Sequence, residues 1–456
     1  MGRSRAHVVA IPYPAQGHVI PMMELCQCLA KHGVRVTFVN TESNHQRVVE
    51  ALPPQPTEKL LHLVSVSDGL DCWEDRMDFA KSVEALGRVL PGELEALIRS
   101  INATQADAVT CIITDVFMAE ITQAHRNFDL KLAAFLPGAV ALLALTTSAE
   151  KLVADGVIDT DGTPLQSEPI RLSPSMPEMN PNHFAWVCLP DLAGRRVVFQ
   201  SIVENNKSAK LAQYLICNSS SALEPAALDF LHNCRPIGPL LATRRLAKQA
   251  GHFWPENPTC LSWLDHRPPR SVVYVAFGSF TLLDPAQFRE LALGLELTGL
   301  PFLWVVRSDI TCHVSEAYPP GFKDRVRNRG KIVDWAPQQE VLAHPAVACF
   351  VTHCGWNSTV ESVSSGVPVV CWPYFADQFL NETYIVDHWG VGVRLEKGGN
   401  GIIGREEIKG KVEMVLGDGG YKKRVTELQE KTLASSVGGG SSHKNLCDFV
   451  DWIKED

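Results

Sequence analysis

A histidine following Gln16-Gly17 and an aspartate at position 115 are the first side chains that could do chemistry together. His18 comes just after a strand-like run, His7-Val8-Val9-Ala10-Ile11, in a loop from Pro12 to His18. An imidazole titrates close enough to neutrality to take a proton from a hydroxyl. Asp115 ends a second apolar run, Ala108 to Thr114, so both residues should emerge at strand ends. A carboxylate beside a histidine base fixes its tautomer and stabilises the imidazolium that forms. The residue types alone leave another reading open. His18 could start a helix and bond to backbone, with Asp115 capping a helix that begins near Val116.

A second constellation fills Trp335 to Gln378. Val347 to Thr352 reads as a strand, His353-Cys354-Gly355 as a tight turn, and the residues through Glu361 as a helix. A glycine turn entering a helix presents unbonded backbone N–H groups, which suit a diphosphate. His353 at that turn can donate to a phosphate oxygen. So can Ser279, in the loop Gly278-Ser279-Phe280-Thr281 after another strand. Trp335 offers a flat face for uracil, and Asn357 and Ser358 lie in the helix's first turn. Glu361, one turn on, can accept from ribose hydroxyls. Asp377 accepts, and Gln378 both accepts and donates, which suits neighbouring sugar hydroxyls. Taken singly, a Trp is usually core and a helical Glu usually faces water. The joint spacing is what points to a ligand.

The stretch WAPQQEVLAHPAVACFVTHCGWNSTVESVSSGVPVVCWPYFADQ resembles, over its full length, the signature box of plant small-molecule UDP-glycosyltransferases. The resemblance runs along the whole chain and includes the Gly17-His18 loop. It implies a GT-B fold whose C-terminal domain holds the sugar donor and whose N-terminal domain holds the acceptor. It implies His18 and Asp115 as the catalytic dyad. UDP contacts are implied for Ser279, Trp335, Gln338, His353, Gly355, Asn357, Ser358 and Glu361, and sugar contacts for Trp356, Asp377 and Gln378. In the family, Gln at the last position goes with glucose donors. The implied partners are UDP-glucose, as co-substrate, and a small hydroxylated aglycone. The implied reaction is one in-line displacement at the anomeric carbon, giving a β-glycoside without covalent intermediate, metal or cofactor. Other UDP-sugars, or a UDP-sugar binder without catalysis, are the nearest alternatives.

Two stretches share the grammar that must position these residues. From His7 to Asn40 the order is strand, loop, helix (Pro21 in its first turn, Gly33 after its end) and strand. From Ser271 to Arg307 it repeats, with Asp284 as N-cap, Pro285 at the first helical position, Gln287 for a capping box and Gly299 at the close. Each half therefore opens a doubly wound parallel α/β sheet, and two such sheets would face a cleft. The expected division is an acceptor domain at 1–240, a linker at 241–258, a donor domain at 259–437 and a tail at 438–456. Gly438-Gly439-Gly440-Ser441-Ser442 reads as a flexible break before a last helix, Lys444 to Glu455, packed on the first domain. Neither half carries G-x-G-x-x-G, which weighs against a dinucleotide cofactor.

The chain has 456 residues and a formal net charge of -9. An acidic chain attracts neither nucleic acid nor an anionic membrane, so any phosphate must be held by local donors. The 13 cysteines form no CxxC motif and suit reduced thiols. Pro12, Pro14, Gln16 and His18 break the only candidate leader, and no apolar run is long enough to span a membrane. The expectation is a cytoplasmic monomer. Asp159-Thr160-Asp161, the one D-x-D pattern, reads as a surface turn rather than a metal site. Acceptor contacts are expected from Trp73, Phe117, Met118, Leu136, Phe184, Trp186 and Phe375. This apolar set suits a flavonoid or phenylpropanoid, with a terpenoid as alternative. Phe135-Leu136-Pro137-Gly138 lacks the Thr or Ser that some relatives place near the donor sugar.

Overall fold

A computed structural model describes residues 6–51, 60–72, 75–76, 78–104, 108–118, 122–187, 189, 191–242 and 250–455. The chain divides into two compact units, 1–254 with 434–456, and 255–433. In the first, β1 (His7–Ile11), β2 (Arg35–Thr41), β3 (Leu61–Val66), β4 (Cys111–Asp115), β5 (Lys131–Leu136), β6 (Tyr214–Cys217) and β7 (Cys234–Pro236) form a parallel sheet in the order 3-2-1-4-5-6-7. In the second, β8 (Val272–Ala276), β9 (Phe302–Val305), β10 (Gly330–Val333), β11 (Val347–Thr352), β12 (Val369–Cys371) and β13 (Gly392–Arg394) run in the order 10-9-8-11-12-13.

Period-two alternation sends the side chains of central strands such as β1 and β4 into cores on both faces. Val8 and Ala10 enter one core with Met22, Leu25 and Leu29 of the helix Gln16–Lys31. Val9 and Ile11 enter another with Leu90, Leu94 and Ile98 of the helix Phe79–Thr104. Side chains of neighbouring strand residues point to opposite faces, so helices must cover both. Strand order reverses between β1 and β4 in one sheet and between β8 and β11 in the other. At such a switch point the two loops leave toward opposite faces and open a crevice at the carboxyl ends.

Several expectations need correction. The first helix begins at Gln16, not after His18, so His18 sits in its first turn and Pro21 lies inside it. Asp284 does cap the helix Pro285–Leu297, accepting from Ala286 N and Gln287 N. Gln287 makes no capping box; its amide bonds both backbone groups of Ile403, at 2.9 Å each. A buried tertiary partner outcompeted the local one. The 241–258 segment is not a free linker throughout, because Ala250, His252 and Phe253 are buried in the first unit and Phe253 N donates to Gln16 Oε1 at 2.9 Å. Within the glycine run, a Cβ on Gly440 would lie 2.3 Å from two carbonyl oxygens, so that glycine is there for close packing, while Gly438 and Gly439 have open space around them.

The last helix, Ser441–Lys454, buries Phe449, Val450 and Ile453 in the first unit's core. Phe449 packs its ring on Tyr214 at 5.2 Å and on Trp452 at 5.8 Å. Phe449→Ala should therefore destabilise this unit by about 3–5 kcal/mol. Denaturant unfolding checks this, and a shift below about 1 kcal/mol would mean that the tail is not part of that core.

Candidate functional site

In the first unit, pairing of Ile11 with Thr114 brings the ends of β1 and β4 side by side. His18 Nδ1 lies 2.7 Å from Asp115 Oδ2. The carboxylate is fully enclosed, while about a quarter of the imidazole stays exposed. Asp115 Oδ1 accepts from Phe117 N at 3.0 Å and Oδ2 from Tyr13 N at 3.4 Å. The acid is thus held by backbone and can only accept, so Nδ1 carries the proton and Nε2 presents its lone pair. Tyr13 and Phe117 flank the imidazole, with ring centroids at 5.2 and 5.6 Å. Tyr13 was not singled out from the sequence, since its nearness to His18 depends on how the loop folds back.

Another helix N-terminus in this unit is already filled. Glu224, wholly buried, accepts from Val140 N at 3.0 Å, Ala141 N at 2.9 Å and Ser219 Oγ at 2.6 Å. Its carboxylate satisfies the opening of the helix Val140–Thr147 just past Pro137-Gly138.

Among the acceptor candidates, Phe117 and Phe375 are partly exposed. Met118, Leu136, Phe184 and Trp186 are core residues, each 2 % exposed or less. Trp186 is held between Phe184 and Phe199 and donates Nε1–H to Gly162 O at 2.8 Å. A satisfied indole in an aromatic cluster has nothing left to offer a ligand. Trp73 lies outside the described residues.

In the second unit, pairing of Thr352 with Ala276 sets the Gly278–Thr281 loop beside the His353 turn. Cys354 takes φ +66°, an uncommon value for a side-chain-bearing residue. Gly355 caps the helix Trp356–Ser364, whose first bond runs from Thr359 N to Gly355 O. Trp356, Asn357 and Ser358 precede that bond, at positions where an α-helix has no i−4 carbonyl to offer. A Cβ on Gly278 or on Gly355 would lie 2.6 Å from His353 Nε2, so both glycines exist to admit that ring. Burial of the ring, and then the Arg307 guanidinium nearby, push the His353 pKa down to about 3. The imidazole is neutral at physiological pH and acts as a hydrogen-bonding group, not a cation.

The rest of the box is tied together by amides. Gln338 Nε2 donates to Ser358 Oγ and Glu361 Oε2, both at 2.8 Å, and its Oε1 accepts from Tyr274 OH at 3.2 Å. Gln339 donates to Glu361 Oε1 at 3.1 Å. Glu361 is thereby fixed with lone pairs to spare. Trp335 and Trp356 are 9 % and 3 % exposed, so neither indole presents a broad open face. Gln378 Oε1 is consumed by Tyr374 N at 2.7 Å and Phe375 N at 3.1 Å, which leaves its NH2 to donate. The expectation that it both accepts from and donates to a sugar is thus narrowed to donation. Asn381, overlooked in the sequence, donates to Cys354 O at 2.8 Å and Asp377 Oδ2 at 2.9 Å, linking the turn to Asp377. Its spacing of four from Asp377 on a helix was the available signal.

Among the described residues no group of three or more His, Cys, Asp or Glu is arranged to hold a metal ion. Asp159 closes a turn by accepting from Asp161 N and Thr163 N. Among those residues no helix is long and apolar enough to cross a membrane.

Residues 252–432 match the family described as UDP-glucoronosyl and UDP-glucosyl transferase, and residues 4–62 match a glycosyltransferase N-terminal domain. UDP-glycosyltransferase 83A1 of Arabidopsis thaliana is 41% identical, covering 99% of this chain and 97% of its own. The 7-deoxyloganetin glucosyltransferase of Gardenia jasminoides is 34% identical, covering 96% of each. Among solved structures, Os79 of O. sativa in complex with UDP superposes with a TM-score of 0.82 at 30% identity, over 98% of this chain and all of that one. UGT2 of Phytolacca americana, complexed with UDP-2fluoro-glucose and pterostilbene, superposes at 0.82 with 25% identity, over 99% and 100%. Two parallel α/β units with loops gathered at both switch points define the GT-B class of glycosyltransferases. The chain belongs to the plant small-molecule UDP-glycosyltransferases.

The depressed His353 pKa carries a sign. Between pH 6.5 and about 3 the unfolded chain takes a proton on this ring that the folded chain refuses. That contribution makes stability fall as pH falls through the window. His353→Gln should flatten this part of the stability–pH curve, read by thermal unfolding at stepped pH. An unchanged slope would place the ring in a wetter setting than the structure gives it.

Proposed function

We propose that this enzyme transfers glucose from UDP-glucose to a phenolic hydroxyl of a small aromatic aglycone, with inversion. His18 is the general base and Asp115 its orienting partner. The observation that carries the reading is the 2.7 Å contact between Nδ1 and a carboxylate already fixed by two backbone N–H groups. This arrangement aims a basic Nε2 away from the acid, where an acceptor hydroxyl can approach. The flanking rings of Tyr13 and Phe117 suit a flat phenolic acceptor. The donor side rests on Ser279, His353 and the N–H groups after Gly355 for the diphosphate. Glu361 takes the ribose, and Asp377 with the Gln378 amide takes the sugar. Departing UDP carries its charge toward those N–H groups, so no metal is required. The enzyme acts as a cytoplasmic monomer.

Purified protein with UDP-glucose, EDTA and a mixture of phenolics and terpenoid alcohols should give a phenolic product heavier by one hexose, seen by mass spectrometry. A product formed only from terpenoid alcohols would correct the acceptor class, and one formed only from another UDP-sugar would correct the donor. His18→Ala should lower kcat about 10³-fold, and Asp115→Asn by a similar order, with UDP affinity unchanged. Turnover surviving in His18→Ala would remove the base assignment. Glu361→Ala should raise the donor KM about 10-fold or more, because the ribose hydroxyls lose an ionised acceptor.

A further inference from the structure

The residues assigned to the diphosphate contain no cation. Ser279 and Asn357 are neutral, Gly355 offers backbone alone, and His353 is uncharged at neutral pH. The whole chain carries a net charge of -9, so the field at long range opposes an anionic ligand. One charged group nevertheless lies directly beneath the loop. Arg307, two residues past β9, is 1% exposed. It donates to Gly278 O, to Thr281 O at 2.9 Å and to Asp309 Oδ1 at 2.9 Å. Burial lowers its pKa from the ordinary arginine value, yet a guanidinium stays charged at neutral pH. Asp309 is 42% exposed on its side chain, so solvent screens the counter-charge more than the guanidinium.

The hydrogen bonds also set direction. In a planar trans peptide the C=O and the following N–H point opposite ways. With Gly278 O turned down onto Arg307, the Ser279 N–H is turned away from it, and the same holds for Thr281 O and Leu282 N–H. Ser279 bonds to none of the described residues. A buried cation therefore polarises this loop and orients its donors while being unable to touch a ligand itself.

We infer that Arg307 is a positioning residue that supplies, from below the Gly278–Thr281 loop, the fixed positive charge for the donor's diphosphate. This rests on the diphosphate assignment made above. The charge is buried in a setting of low dielectric, where its influence on a nearby anion is screened far less than a surface lysine's would be. Catalysis gains in the same way: UDP leaves with more negative charge than it held in the sugar ester, and a preorganised cation favours that state.

Binding of UDP and of uridine, measured calorimetrically on the full chain, separates charge from scaffolding. Arg307→Met should weaken UDP about 10- to 100-fold while uridine changes less than about 3-fold, and Arg307→Lys should keep most of the UDP preference. Asp309→Asn, a change at a half-exposed side chain that leaves the core intact, should tighten UDP about 2- to 5-fold and leave uridine unchanged. Equal weakening of both ligands in Arg307→Met would reduce Arg307 to a loop scaffold. If Arg307→Met does not fold, Arg307→Lys and Asp309→Asn decide. UDP preference lost in the lysine variant, or unmoved by Asp309→Asn, overturns the inference. Wild-type protein that binds UDP no better than uridine overturns the diphosphate assignment itself, and this inference with it.

Discussion

Hydrogen-bonded pairing at one point in each sheet is the constraint on which the rest depends. β1 and β4 are neighbours, as are β8 and β11, although roughly a hundred residues separate the first pair in sequence. At both places the chain winds one way from the first strand and the other way from the second. Two carboxyl-end loops are then left uncovered side by side. His18 and Asp115 meet because of the first pairing, and Ser279 and His353 share a rim because of the second. Slipping β4 against β1 by one residue would turn Asp115 to the other face of the sheet and leave His18 without its partner.

The electrostatics follow from that geometry. An acidic enzyme with an anionic donor has to concentrate attraction locally. Beside one another in the second unit stand the N-terminus of Trp356–Ser364, a histidine kept neutral, and a guanidinium bonded under the Gly278–Thr281 loop. A competing helix N-terminus in the first unit, that of Val140–Thr147, is filled by the buried Glu224 carboxylate. A helix N-terminus favours negative charge by its backbone alone, and in the first unit a side chain of this protein already supplies it.

Much of the scaffold is legible in the chain. Runs such as Val272–Ala276 and Cys111–Asp115, buried throughout, read as central parallel strands because no polar alternation interrupts them. Asp284-Pro285 announces its helix, and Trp335 to Gln378 announces a nucleotide. What was illegible is where polar side chains spend their hydrogen bonds. Gln287 abandons a local cap for Ile403, Gln378 gives its carbonyl to two backbone N–H groups, and Asn381 reaches back to Cys354. Trp186 and Phe184, apolar and aromatic as an acceptor wall would be, are spent on the core. Composition cannot separate a pocket wall from a packed interior, since both want the same side chains.

The sequence by itself determined the class of fold and the order of elements. Those depend on periodicity, turn chemistry and spacing within short windows. Only the tertiary structure decided that Nδ1 of His18 faces Asp115, that Glu361 is held by two glutamines, and that Arg307 lies below Gly278. Each is a contact between elements separated along the chain. Its existence depends on register and on what else competes for the same donor, which no local window contains.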